Sequence, residues 1–129
     1  MSEPVWISKE AILAIQTSLV GRFGGIHGVR DEGLLESALV RAQQLFHYGD
    51  PTLCEMAAAY AEGIVKNHPF LDGNKRAGFM AAYTFLAANG LQLTAPEDEA
   101  VLQTLSLAAG ATAAPEYAAW LDANTSPRG

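Results

Sequence analysis

The chain has 129 residues, half of them hydrophobic, and a net charge of −6. It is long enough for one domain with its own core, too apolar for a disordered chain, and too acidic for a general binder of nucleic acid or anionic membrane. A single cysteine, Cys54, excludes an internal disulfide framework, and neither a signal peptide nor a bilayer-length apolar run is visible, so the expected setting is the cytoplasm, away from membranes.

Residues 1–7, with Pro4, Val5 and Trp6, read as an extended lead-in to a single domain covering 1–129. Ser8 is placed to cap a first helix whose apolar face is Ile12, Ile15, Leu19 and Val20. Gly21, Gly24, Gly25 and Gly28 then interrupt it. That glycine loop is either a simple connection or a flap along which an extended substrate segment can align. Asp31 is the next N-cap, and Leu34, Leu35, Ala38, Leu39, Ala42 and Leu45 follow at helical spacing up to Gly49-Asp50-Pro51. Thr52-Leu53-Cys54-Glu55 is a capping box. Behind it Met56, Tyr60, Ile64 and Val65 repeat, and Ala57, Ala58, Ala59 and Ala61 suit a helix packed centrally among others. This helix is expected to end at Asn67, ahead of a proline-containing turn.

The turn is Asn67-His68-Pro69-Phe70-Leu71-Asp72-Gly73-Asn74-Lys75-Arg76. A further helix follows from Asn74 to about Ala88, stopped by Asn89-Gly90. Leu91–Thr94 is a short extended link, and Glu97 to Ala109 a helix carrying Val101, Leu102, Leu105 and Leu107. Pro115 suits the first position of a last helix with Tyr117, Trp120 and Leu121. Residues 124–129 read as a frayed tail. With no repeat and no strand-like alternation, the expected fold class is all-α: a single-domain bundle of about six helices with a short flap loop before the second.

Each residue of the turn has a chemical use. His68 can take a proton near neutral pH, and Asp72 can hold magnesium through one carboxylate oxygen. Gly73 lets the backbone approach a phosphate, and Asn74 can fix the turn through its side chain. Lys75 and Arg76 oppose the dipole of the helix they begin, a local cost that an anion between them would offset. Phe70 is expected to point inward and anchor the loop. Lys66 either reaches the same pocket or ends its helix in solvent. His27 and His47 lack partners at metal-ligand spacing and read as surface or loop residues. Cys54 has no His–Asn/Asp partner pattern and reads as a small buried residue.

The turn resembles the signature of the Fic/Doc family, His-x-Phe-x-(Asp/Glu)-(Gly/Ala)-Asn-(Gly/Lys)-Arg, whose fixed positions are met by His68, Phe70, Asp72, Gly73, Asn74, Lys75 and Arg76. Arg22-Phe23-Gly24-Gly25 and the run from Gly28 to Leu39 are similar to the Doc (death-on-curing) branch, so the likeness covers roughly residues 5 to 95. Members that transfer AMP carry glycine at position 75. Lysine there is shared with the Doc branch, and the resemblance implies ATP bound in reverse, transfer of its γ-phosphate with Mg2+ at Asp72, and His68 as the catalytic base. It also implies a toxin that is a protein kinase, acting on elongation factor Tu and held in check by an antitoxin. The self-inhibitory Ser/Thr-x-x-x-Glu-(Gly/Asn) helix of some members is matched only by Thr112 and Glu116, with Pro115 between them, so that antitoxin is expected as a separate chain. AMP transfer to a protein hydroxyl is the rival reaction, favoured by Pro69 and Gly73. A non-catalytic co-repressor that binds the antitoxin is the rival of another class.

Overall fold

The computed structural model describes residues 2–128. Along them run α1 (Lys9–Phe23), α2 (Glu32–Tyr48), α3 (Leu53–Asn67), α4 (Asn74–Ala88), β1 (Leu91–Leu93), α5 (Glu97–Ala109), α6 (Ala114–Ala123) and β2 (Thr125–Pro127). Met1 and Gly129, the outermost residues of the expected lead-in and tail, lie outside the described residues. Helices carry the core, as expected of an all-α fold, and the strands form one antiparallel ribbon in which Leu91 faces Pro127 and Leu93 faces Thr125.

Local chemistry sets the helix starts. The Ser8 side chain accepts from the Ala11 N–H at 3.1 Å and Asp31 from the Leu34 N–H at 3.0 Å. The Thr52–Glu55 box is closed in both directions, at 3.0 and 2.8 Å. α3 is the centre of the bundle, packed against α2, α4, α5 and α6, and every residue from Met56 to Ala61 is buried. Two glycines let its neighbours close in. A Cβ on Gly63 would lie 3.0 Å from Ala38 Cα of α2, and one on Gly78 of α4 would lie 2.7 Å from Val65 Cγ1 of α3. Cys54 is buried, and burial pushes its thiol above the usual range, so it packs rather than reacts. Among the described residues no helix is long and apolar enough to cross a membrane.

The lead-in is extended and packed. Trp6 lies 5.7 Å from the Phe46 ring and 6.1 Å from Phe85, and the Ile7 N–H donates to the Tyr60 hydroxyl at 3.1 Å. Four expectations are corrected. Val101, Leu102 and Leu105 do not face the core: Leu102 is 66% exposed, and α5 buries Ala100, Thr104 and Leu107 instead. The hydroxyl of Thr104 pairs with the buried Tyr117 hydroxyl at 2.9 Å, so a polar partner on α6 decides which face of α5 turns inward. Leu45 is likewise exposed on α2. The described part of the tail, 124–128, is not frayed, since 125–127 pair with β1 and the Arg128 N–H donates to the Gly90 carbonyl at 2.9 Å. Pro115 takes the second helical position, not the first.

Candidate active site

α3 ends as expected at Asn67, and His68 is its C-cap in the left-handed region (φ 50°, ψ 55°), with its N–H on the Ile64 carbonyl at 3.1 Å. No other non-glycine residue described has positive φ. Glycine is the usual choice at such a cap, so the sequence accepts strain here to place an imidazole. The His68 side chain lies on an exposed residue, open to an incoming hydroxyl.

Past His68 the chain is held on both sides. Phe70 points inward and is buried. The buried Asn74 side chain clamps it, Oδ1 accepting from the Phe70 N–H at 3.0 Å and Nδ2 donating to the Phe70 carbonyl at 3.1 Å. Its Nδ2 also lies 3.5 Å from His68 Nδ1. With that side chain occupied by the turn, Asn74 has its backbone N–H to offer a phosphate. Gly73 (φ 74°, ψ 23°) leads into α4, which has no side-chain N-cap and no acid in its first turn. A left-handed residue followed by uncapped helical N–H groups is an anion nest. Lys75 and Arg76 are exposed at its rim. Neither makes an ion pair among the described residues, where the paired cations are Lys9, with Glu32 and Glu36, and Arg41, with Glu62. The Arg76 guanidinium instead lies 4.3 Å over the half-exposed Phe23 ring, with Arg22 5.3 Å from the same ring.

The glycine loop, the candidate flap, lies against this turn. The Leu71 N–H donates to the Gly28 carbonyl at 3.0 Å, and Val29 bridges Phe70 in antiparallel fashion. Asp72 accepts from the Ile26 N–H through Oδ2 at 3.2 Å and from the Gly73 N–H through Oδ1 at 3.0 Å. Gly25 has a φ of 112°, and a Cβ there would stand 2.7 Å from Asp72 Oδ2, so only glycine lets the flap rest on that carboxylate. Gly24 and Gly28 also take positive φ. Each Asp72 oxygen keeps a lone pair free, and its residue is exposed. One exposed carboxylate with lone pairs to spare is a donor of the kind magnesium takes when water and substrate phosphates supply its other ligands.

Lys66 is placed elsewhere. Its ammonium lies 3.4 Å from the Cβ position of Gly110, at the C-cap of α5, and no hydrogen bond links it to the turn. On a helix, two positions before His68 is about 200° around the axis, and a cation suits the negative end of α5. Two residues escaped the sequence reading. Arg30 donates from Nε to the His68 carbonyl at 2.7 Å and from a terminal nitrogen to the Asn67 carbonyl at 2.9 Å, binding the negative end of α3 and fixing the catalytic candidate's backbone. Its signal was a lone cation between the glycine loop and the Asp31 cap. Gln16 is buried at 2% exposure between Ile12 and Leu19, and its signal was a polar residue inside an apolar stripe.

A helical bundle with a glycine loop resting on a His-Asp-Gly-Asn-Lys-Arg turn is the scaffold of a Fic-type protein, and the chain belongs to the Fic/DOC family, whose model matches residues 6–86. It is similar to Toxin Doc of Mycolicibacterium smegmatis (strain ATCC 700084 / mc(2)155), 46% identical over 78 residues that make up 59% of this chain and 60% of that protein. It is also similar to Protein kinase doc of Escherichia phage P1, 35% identical over 88 residues, 67% of this chain and 70% of that protein. Both are Doc proteins, the branch to which Lys75 pointed.

Proposed function

We propose that this chain is a Doc-like toxin of a toxin–antitoxin pair: a cytoplasmic protein kinase that moves the γ-phosphate of ATP onto a hydroxyl side chain of elongation factor Tu and so halts translation. The observation that carries this reading is an exposed His68, held in a strained cap beside an uncapped helix N-terminus that adds Lys75 and Arg76. The names of the two relatives, a toxin and a protein kinase, support the same reading.

The acceptor segment lies along the flap, with its hydroxyl toward His68. The hydroxyl oxygen attacks the γ-phosphorus while the bond to the β,γ-bridging oxygen breaks, and ADP leaves. His68 takes the hydroxyl proton. The N–H groups of Asn74 and Lys75, together with the Lys75 and Arg76 side chains, face the charge on the transferring group, and in-line positioning supplies most of the acceleration. Magnesium, when bound, neutralises phosphate charge, and Asp72 is the residue to hold it. The toxin name of one relative supports an antitoxin partner, and Pro115 between Thr112 and Glu116 breaks the self-inhibitory pattern, so that partner is a separate chain.

ATP labelled at the α- or the γ-phosphate tests the reaction. Elongation factor Tu should acquire γ-label alone; retained α-label would establish AMP transfer instead. His68→Ala should abolish labelling and growth arrest while leaving antitoxin binding intact, and arrest that persists in this variant would leave only the non-catalytic co-repressor.

A further inference from the structure

Gln16 stands where the stripe of α1 calls for an apolar side chain, and it is buried. Its carboxamide serves three backbone groups that belong to two other segments. Nε2 donates to the Ile26 carbonyl at 3.3 Å and to the Asp72 carbonyl at 3.4 Å, and Oε1 accepts from the Gly28 N–H at 3.4 Å. Both amide protons and one acceptor site are thereby used, and the network admits only this orientation of the amide. Burying such a group costs free energy that a leucine would not, and all that it secures is the flap on one side and the signature turn on the other. Next to it Thr17 Oγ1 meets His27 Nε2 at 2.8 Å, so α1 holds the flap from its last two turns.

We propose that Gln16 is a positioning residue: a pin that sets the distance of the flap from Asp72 and thereby the track on which the acceptor segment is presented to His68. The proposal rests on the kinase reading for what the track carries, while the pin itself follows from the three bonds. Their length matters. Each is near the limit of a useful hydrogen bond, so the pin locates the flap without locking it, and its loss frees the flap rather than the bundle. Asp72 is fixed twice, its carbonyl by Gln16 and its carboxylate by the Ile26 N–H that the same pin positions. These bonds reach the start of α4 only through the Asp72–Gly73 peptide.

Gln16→Met and Gln16→Glu in the full chain test this. Methionine keeps length and removes both polar ends; glutamate keeps the acceptor for Gly28 and removes the donor. In the methionine variant the denaturant midpoint should stay level or rise, because the apolar stripe is completed. Exchange protection at the Ile26 and Gly28 amides should fall about tenfold while the amides of α3 are unchanged. With elongation factor Tu and γ-labelled ATP, the KM for the acceptor should rise at least about threefold and by clearly more than the KM for ATP. Glutamate should retain part of the Gly28 protection and lose that at Ile26. Unchanged flap exchange in both variants, a uniform loss of protection with a lower midpoint, or equal rises in both KM values would overturn the pin. Absence of γ-phosphate transfer in the unmutated chain would instead overturn the kinase reading, and the exchange measurement would still decide on Gln16.

Discussion

His68 holds a backbone geometry that costs an ordinary residue about 1–2 kcal/mol, and its neighbours make it tenable. The Arg30 guanidinium binds the carbonyls of Asn67 and His68, and the Asn74 side chain fixes Phe70 two residues on. Strain retained at an exposed imidazole is what a functional residue leaves behind when packing gives no reason for it. The consequence is measurable by comparing two substitutions. His68→Gly should be more stable than His68→Ala by about 1 kcal/mol, since glycine enters the left-handed region freely and alanine does not, although both should lose phosphate transfer. Urea unfolding of the two variants checks this. An alanine variant as stable as the glycine one would mean that the cap is not strained.

At the scale of the elements, α3 works as the platform because small residues let α2 and α4 approach it, and glycine has opposite effects in different helices. At Gly78 an added Cβ would meet Val65 Cγ1 at 2.7 Å and the Ala61 carbonyl oxygen at 3.1 Å, whereas at Gly21 of α1 nothing lies within 4 Å. Gly78→Ala should therefore cost about 1–2 kcal/mol, overpacking outweighing the gain in helix propensity. Gly21→Ala should stabilise by about 0.5–1 kcal/mol. Thermal unfolding of the pair reads the two signs, and stabilisation at Gly78 would show that α3 and α4 are not in close contact there. The same contrast between local and distant causes explains what could be read from the sequence. Helix starts at Ser8, Asp31 and Thr52 are set within three residues of themselves and were legible. So was the turn between α3 and α4, because its residues are contiguous. The inward face of α5 was not, because Thr104 is chosen by Tyr117 of another helix. Nor was β2, whose three residues pair only with β1. Arg30 and Gln16 meet the turn across 38 and 56 residues of chain, a separation that no pattern along the sequence reveals.

Over the whole molecule, a net charge of −6 surrounds a site whose cations, Arg22, Lys75 and Arg76, have no carboxylate partner among the described residues. Such an arrangement draws a small anion to one place on an otherwise repelling surface. The opposite end of α4 is where the two ends of the described chain are fastened. Asn89 exchanges two hydrogen bonds with Val5, and the Gly90 carbonyl accepts from the Arg128 N–H. Global stability in alkali should reflect the buried hydroxyls that tie these layers together. Burial pushes the Tyr117 hydroxyl up to about 12 from an ordinary 10, against a smaller opposing effect of its bond to Thr104, and burial also raises Tyr60. The unfolded chain gives up the Tyr117 proton near pH 10 and the folded chain keeps it to about pH 12. Its contribution is thus complete below pH 10 and falls as pH rises through that window, by roughly 1.4 kcal/mol per unit and about 2–3 kcal/mol in all. Tyr117→Phe should lose about 1 kcal/mol at pH 8 with the Thr104 bond, yet show a shallower decline between pH 10 and 12, the remaining slope being shared by Tyr60, Cys54 and Lys9, whose proton affinities folding also raises. Urea unfolding at pH 8, 10 and 11 separates this from charge repulsion: added salt weakens repulsion between surface carboxylates and leaves the linkage of a buried phenol in place. Equal slopes in the two proteins at high salt would show that Tyr117 does not govern the alkaline transition.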